Sequence, residues 1–291
     1  MPAQENTIVA ADVCAALDQE FVTTFHQDYD QLADALGLFD VEIITAGTAL
    51  YQYKVTGQLA ASAAAEGEAA ALSHYILDKD PIGDLSPKRY DKLTTAEAIL
   101  KSGYENAVLR TDRKFRNQLR DLALAQFYAF LAAGTGKASG TSANLQMALA
   151  MADGTLGTAM ETNQDSGGTL VHWVNRMDAA TYLGNADVTT QTSFGLTYLE
   201  SFLGVENVIL TSRQKAGTVA VTPVENVHPY GLDFAALSDG GLEYETDDYG
   251  IIGVAHRPDY DHGSVKTHAM LGLALVPEIT DYIVSATFKA A

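Results

Sequence analysis

The side chains best suited to chemistry lie close together in the last fifth of the chain: His256-Arg257-Pro258-Asp259-Tyr260-Asp261-His262, with His268 six residues on and Asp247-Asp248 upstream. Imidazoles and carboxylates ligate zinc and other first-row divalent ions, and a carboxylate beside such an ion can activate water. A metal-dependent hydrolase using His256, Asp259 and His262 is therefore the enzyme reading of this chain. The spacing is not that of a helical HExxH site, and the calcium-loop pattern with its glycine and terminal glutamate is absent. A polar loop after a strand, with a solvated acidic surface, accounts for the cluster better. Other candidates are weaker. Gly136-Lys137 suggests a phosphate loop, but Leu131 stands where its first glycine belongs and Ala138 where magnesium needs Ser or Thr. No G-x-S-x-G elbow occurs. Cys14 reads as a small buried hydrophobe, and His172, on an apolar strand, as a satisfied core histidine.

The 291 residues are 47% hydrophobic, enough for one large or two modest cores. A net charge of −19, from 37 Asp and Glu against 18 Lys and Arg, disfavours tight, sequence-reading contact with nucleic acid. With one cysteine there is no intrachain disulfide, which fits a reducing cytoplasm. No apolar run is long enough for a membrane span, and no secretory signal is evident.

The elements are legible by period. Thr111–Ala133 reads as one long amphipathic helix: Phe115, Leu119, Ala123, Phe127 and Phe130/Leu131 line one face, and Arg113, Lys114, Arg116 and Arg120 occupy the other. Thr111 is expected as its N-cap, with Asp112 beside the positive end of the dipole, and Gly134-Thr135-Gly136 as a left-handed stop. Thr94 or Thr95 caps a short helix that Gly103 ends. A second long helix is expected over about Ser142–Thr162. Asn175 caps another, with Asp178 three residues on, which Gly184 closes. Leu170–Val174, Val188–Thr192, Val208–Leu210 and Thr218–Val221 read as strands, Phe194–Gly204 as a compact aromatic segment, and Tyr282, Val284, Ala286 and Phe288 as the buried side of a last strand.

Before the first helix the period is two. Tyr51, Tyr53 and Val55 alternate with Gln52, Lys54 and Thr56, and Ser73–Leu77 returns after the Ala/Glu/Gly tip Ala60–Ala71. An isolated two-stranded ribbon is marginal in water, so something outside it must cover it. Residues 1–40, with two amphipathic patterns that include Phe21 and Phe25, read as an N-terminal arm, or alternatively as an ordinary first helix of the core.

The string TYLGNADVTTQTSFGLTYLESFLGVENVILTS followed by AGTVAVTPVENV resembles the major capsid proteins of tailed bacteriophages, which have the Hong Kong 97-type fold. KRYDKLTTAEAILKSGYENAVLRTDRKF resembles that family's passage from an extended loop into a spine helix, and ALVPEITDYIVSATF its closing strand. Arg176 departs from the pattern, standing after Asn175 where proline is expected. The resemblance implies an α+β chain divided as N-terminal arm 1–40, extended loop 41–89, peripheral domain 90–140 with the spine helix, axial domain 141–222, a second peripheral part 223–262 and axial strands 263–291. It implies assembly rather than catalysis, and no cofactor. The products would be pentamers and hexamers of an icosahedral shell enclosing double-stranded DNA, built in the bacterial cytoplasm. A separate scaffolding protein and a portal protein would be partners, and a membrane would not. The same fold serves encapsulin compartments, whose cargo is an enzyme. Phe21, Phe25, Tyr51, Tyr53, Val55, Arg113, Arg116 and Arg120 are the expected intersubunit contacts.

Overall fold

The computed structural model describes residues 37–60, 67, 69, 71–165, 167–185, 198–202, 205–238, 241–247 and 249–289. Cys14, Phe21, Phe25, most of the 60–71 tip and the strand expected at Val188–Thr192 lie outside the described residues.

From a short strand β1 (Glu42–Ile44) the chain enters a ribbon of β2 (Ala49–Gln58) and β3 (His74–Asp84), then β4 (Lys88–Thr95) and helix α1 (Ala96–Ser102). Thr95 caps α1 by accepting from the Ala98 N–H, and Gly103 at φ 80° ends it, in the left-handed region that favours glycine. A π-helical turn, Glu105–Leu109, then runs without a break into the long helix α2 (Arg110–Ala132). Thr111 therefore caps nothing: its hydroxyl donates back to the Ala107 and Val108 carbonyls.

At the far end, Gly134 and Gly136 are not left-handed stops either. A Cβ on Gly134 would sit 2.4 Å from the Ile283 side chain, and one on Gly136 2.4 Å from the Asp281 carbonyl, so both are glycine to let the C-terminal segment approach. Gly134→Ala is expected to cost about 1–3 kcal/mol, the range for overpacking; a denaturant midpoint unchanged from wild type would refute this reading.

After α2 come β5 (Gly136–Ser142), helix α3 (Leu145–Asn163), β6 (Leu170–Asn175), α4 (Arg176–Asn185), β7 (Tyr198–Phe202), β8 (Val205–Thr211), β9 (Thr218–Pro223) and β10 (Val227–Leu232). Asn175 accepts from the Met177 N–H, and Asp178 from the Gly217 N–H, tying the start of α4 to the β8–β9 turn. The chain ends with α5 (Ala235–Ser238), β11 (Glu245–Thr246), β12 (Ile252–Asp259), β13 (Ser264–Leu271), β14 (Leu273–Pro277) and β15 (Val284–Phe288). Strand β12 carries His256 and Arg257 inside it, where the sequence suggested a polar loop. Pro258 is tolerated there because β11 pairs with β12 only at Gly253 and Val254, leaving the edge open further on.

The six-stranded sheet, in order β5-β15-β9-β6-β8-β7, is covered on both faces. Val171, Trp173, Ile209 and Ala220 face α2, where Leu119, Ala123, Leu124, Phe127 and Leu131 are buried. Val174, Val208, Val219, Val221, Val284, Ala286 and Phe288 face α3, packing on Leu145, Leu149, Ala152 and Leu156. This double burial is why β6 and β9 are apolar almost without interruption. Phe127 meets Trp173 edge-on at 5.9 Å, and Phe39 stacks on Trp173 at 6.4 Å, pinning the first described residues to the spine. His172 is buried on the α3 side, 2.6 Å from Asp153. A second sheet, β11-β12-β13-β4, lies against the first half of α2, and a third, β1-β10-β14, completes the body.

Candidate assembly surfaces

Among the described residues the ribbon is fixed to the body at its base. Leu50 and Leu85 are buried, and the Gln52 side-chain amide donates to the Glu278 carbonyl at 2.5 Å. Beyond that, Val55 pairs with Leu77 and Gly57 with Tyr75, which places Val55, Tyr75 and Leu77 on one face with Tyr51 and Lys79. Val55, Tyr75 and Leu77 are 67%, 58% and 62% exposed. Gly57 has no room for a side chain, because the Tyr75 ring fills that space, 2.3 Å from where a Cβ would be. The Lys79 ammonium lies 3.7 Å from the Tyr51 ring centroid, a cation–π contact that stiffens the stem. Tyr53 stands opposite Lys79 in the register; its side chain is outside those described. The other face is mostly polar, with Gln52, Thr56, Gln58, His74, Asp78 and Asp80 around one exposed aliphatic residue, Ile76. The ribbon therefore has one aromatic and aliphatic face with nothing from its own chain upon it among the described residues.

The cationic side of α2 divides in two. Arg113 and Lys114 are exposed, with no carboxylate at ion-pair distance among the described residues. Arg116 reaches Glu245 of its own chain at 3.5 Å. Arg120 lies near Asp247, whose carboxyl is pushed above the usual range by burial, against the opposing pull of the Ile251 and Ile252 N–H groups and Arg120. Two of the three arginines expected at a subunit boundary thus have intrachain acidic company.

The His/Asp cluster is split by the strand it occupies. His256 points toward α2, whereas Asp259, three residues on, pairs with His262 at 2.9 Å across the exposed β12–β13 turn. Hydrogen bonding to His262 holds the Asp259 carboxyl below the usual carboxylate value. Among the described residues no group of three or more His, Cys, Asp or Glu is arranged to hold a metal ion.

What His256 does instead was not legible beforehand. His256, Thr267 and Lys92 form one row across β12, β13 and β4, and all three converge on Asp112 of α2. The buried Asp112 carboxylate meets the Lys92 ammonium, His256 Nε2 at 2.6 Å and the Thr267 hydroxyl at 3.1 Å. Lys92 also donates to Thr111 Oγ1 at 2.7 Å and to the Val108 carbonyl at 3.3 Å. Burial lowers the Lys92 pKa, and Asp112 acts to raise it back. One carboxylate so fastens the start of the spine to three strands.

No family model matches the sequence, and no curated protein matches it. Solved structures do match, over nearly the whole chain, and they define its class: this is the Hong Kong 97-type fold, a mixed α+β architecture used by the capsid subunits of tailed bacteriophages. A structure from Mycobacterium phage Che8 superposes with a TM-score of 0.58 at 10% identity, covering 88% of this chain and 90% of its own. The capsid structure of cyanophage P-SCSP1u gives 0.58 at 11% identity, over 87% of each chain. The SrpI encapsulin of Synechococcus elongatus PCC 7942 gives 0.52 at 10% identity, over 87% and 85%. At such identities what is shared is the fold.

Proposed function

We propose that this chain is the major capsid protein of a tailed bacteriophage. It assembles with itself into pentamers and hexamers of an icosahedral shell around double-stranded DNA, and its work is assembly, not catalysis. The observation that carries the reading is the ribbon: a paired, base-anchored element whose apolar face is left open needs a neighbouring copy to cover it. In this reading residues 41–89 are the extended loop and residues 1–40 the arm. Residues 90–140 and 223–277 make the peripheral domain, a reading supported by the pairing of β13 with β12 and β4 and of β14 with β10, and 141–222 with the last strand β15 make the axial one. Tyr51, Tyr53 and Val55 meet the adjacent subunit, as does Arg113; Phe21 and Phe25 act from the arm. A separate scaffolding protein and a portal protein serve assembly in the host cytoplasm, and the mature location is the virion.

The encapsulin likeness supports a second reading, an enzyme-filled compartment of the same fold. Negative-stain microscopy of the expressed chain, alone and with a candidate scaffold, tests both. Rings, tubes or shells are expected, with DNA in particles from infected cells. A protein cargo in place of DNA would favour the compartment, and a chain that stays monomeric under every condition would end both readings.

A further inference from the structure

The outer face of the second sheet, turned away from α2, holds a cleft of about 400 Å³ between that sheet and Leu237, Leu242 and Tyr244. Its walls are apolar at Leu237, Leu242, Tyr244 and Met270, and cationic at Arg89, Arg257 and Lys266. In a chain of net charge −19 such a concentration of positive charge is unusual. Lys266 is answered by Asp91 at 2.9 Å, and the same carboxylate also takes His268. Burial would raise the Asp91 pKa, but the hydrogen bonds from His268 and Lys266 outweigh it and hold the carboxyl below its ordinary value. That carboxylate is already used. Arg89 and Arg257 have no carboxylate at ion-pair distance among the described residues. Arg257 also stands directly opposite Lys266 in the β12–β13 register, a like-charge pairing that disfavours the empty cleft.

We infer that this cleft is a docking site for an acidic, aromatic polypeptide segment, and that the segment is residues 1–36 of this chain, from the same or a neighbouring copy. The argument is charge and shape complementarity. Residues 1–36 contain carboxylates and no Lys or Arg at all, although the whole chain has 18. Asp18, Glu20, Asp28 and Asp30 bracket Phe21 and Phe25, so acidic groups flank an apolar centre as cations flank the apolar walls. Arg89 lies across from Met270 and Arg257 across from Lys266, which separates their backbones by about 16 Å at standard sheet spacings. Two guanidinium groups from separate strands, in one lining with the apolar Leu237, Leu242 and Met270, suit a ligand that carries several carboxylates around an apolar centre. The inference goes beyond the assembly reading, since the contact can form in a single subunit or in a shell.

Cys14, the only cysteine, lies in the segment and takes a nitroxide label without further engineering. In the labelled full-length chain at about 0.1 M salt, electron paramagnetic resonance is expected to show an immobilised component. Raising the salt to about 1 M, where the screening length falls to about 3 Å, should remove most of it. Arg89→Glu with Arg257→Glu should lower the bound-to-free ratio about tenfold, equivalent to one decade of equilibrium constant, while Arg89→Lys with Arg257→Lys preserves it. A second label at Leu242→Cys should give a short inter-label distance population that charge reversal abolishes. A Cys14 label whose mobility is unmoved by salt and by charge reversal overturns the assignment, as does the absence of any short-distance population. The salt series uses the unmutated chain, so misfolding of a variant cannot mask the answer. Particle formation scored on the same samples separates failure of this contact from failure of the shell reading.

Discussion

With Val55 and Leu77 both changed to aspartate, the subunit is expected to stay folded and monomeric and to form no particles. Neither side chain contributes to the buried cores, since both stand well out on the ribbon, paired with one another and more than 60% exposed. The change should leave the unfolding free energy of the isolated subunit within about 1 kcal/mol of wild type, since both positions are exposed and the two aspartates, opposite one another on the ribbon, add only a modest cross-strand penalty. In an assembled shell each would be buried against a neighbour, worth about 1.5–3 kcal/mol per side chain. Burying two carboxylates there adds a further penalty. Together these predict a rise of roughly a hundredfold or more in the concentration needed for assembly. Sedimentation of wild-type and double-variant protein over a concentration series measures it. Normal shells at the wild-type concentration would remove the ribbon from the mechanism, and deletion of the 60–71 tip would then be expected to be silent as well.

The second large effect concerns stability. Asp112→Ala should destabilise the fold by about 3–5 kcal/mol, the range for breaking one side of a buried ion pair, because Lys92 and His256 are left facing an apolar gap. Replacing Asp112 by Leu together with Lys92 by Met should recover most of that loss, since a buried pair and an apolar pair of similar volume are often close in free energy. The pH dependence follows from Lys92. Its folded-state pKa is depressed below 10.5 by burial, so between the two values the unfolded chain binds more protons and stability rises with pH. Without Asp112, burial acts unopposed and that window widens downward. The deficit of Asp112→Ala should therefore shrink as pH is raised toward 10.5. Urea titrations at a series of pH values read this directly; a deficit that grows with pH would contradict the assignment.

The sequence exposed whatever depended on near neighbours in the chain. The alternation of Tyr51, Tyr53 and Val55 announces extended backbone, and Leu119, Ala123, Phe127 and Leu131 announce a helical stripe, because those periods are local geometry. Thr95 and Gly103 mark a helix correctly for the same reason. Thr111 misled because it has the chemistry of a cap, yet the residues before it were already turning. Gly134 and Gly136 misled because crowding by Ile283, some 150 positions away, leaves no local trace. Asp112 is the clearest case. Placed at a helix start it reads as a dipole partner, while its real partners are 20, 144 and 155 residues distant. Pro258 and the charged residues around it suggested a loop, although an open strand edge accommodates them. The open ribbon face was legible in outline, as a surface that the chain could not cover itself.

The six-stranded sheet, filled on both faces, also governs how this molecule can come apart. Trp173 and Val174 are consecutive residues that serve opposite cores, as are Ala220 and Val221, so neither core can melt without stripping one side of a wall the other depends on. Melting should therefore be a single cooperative event. Nor can either half be excised as a tractable fragment, for the cut would uncover a broad apolar plane, and an engineered truncation here trades a folded protein for an aggregate.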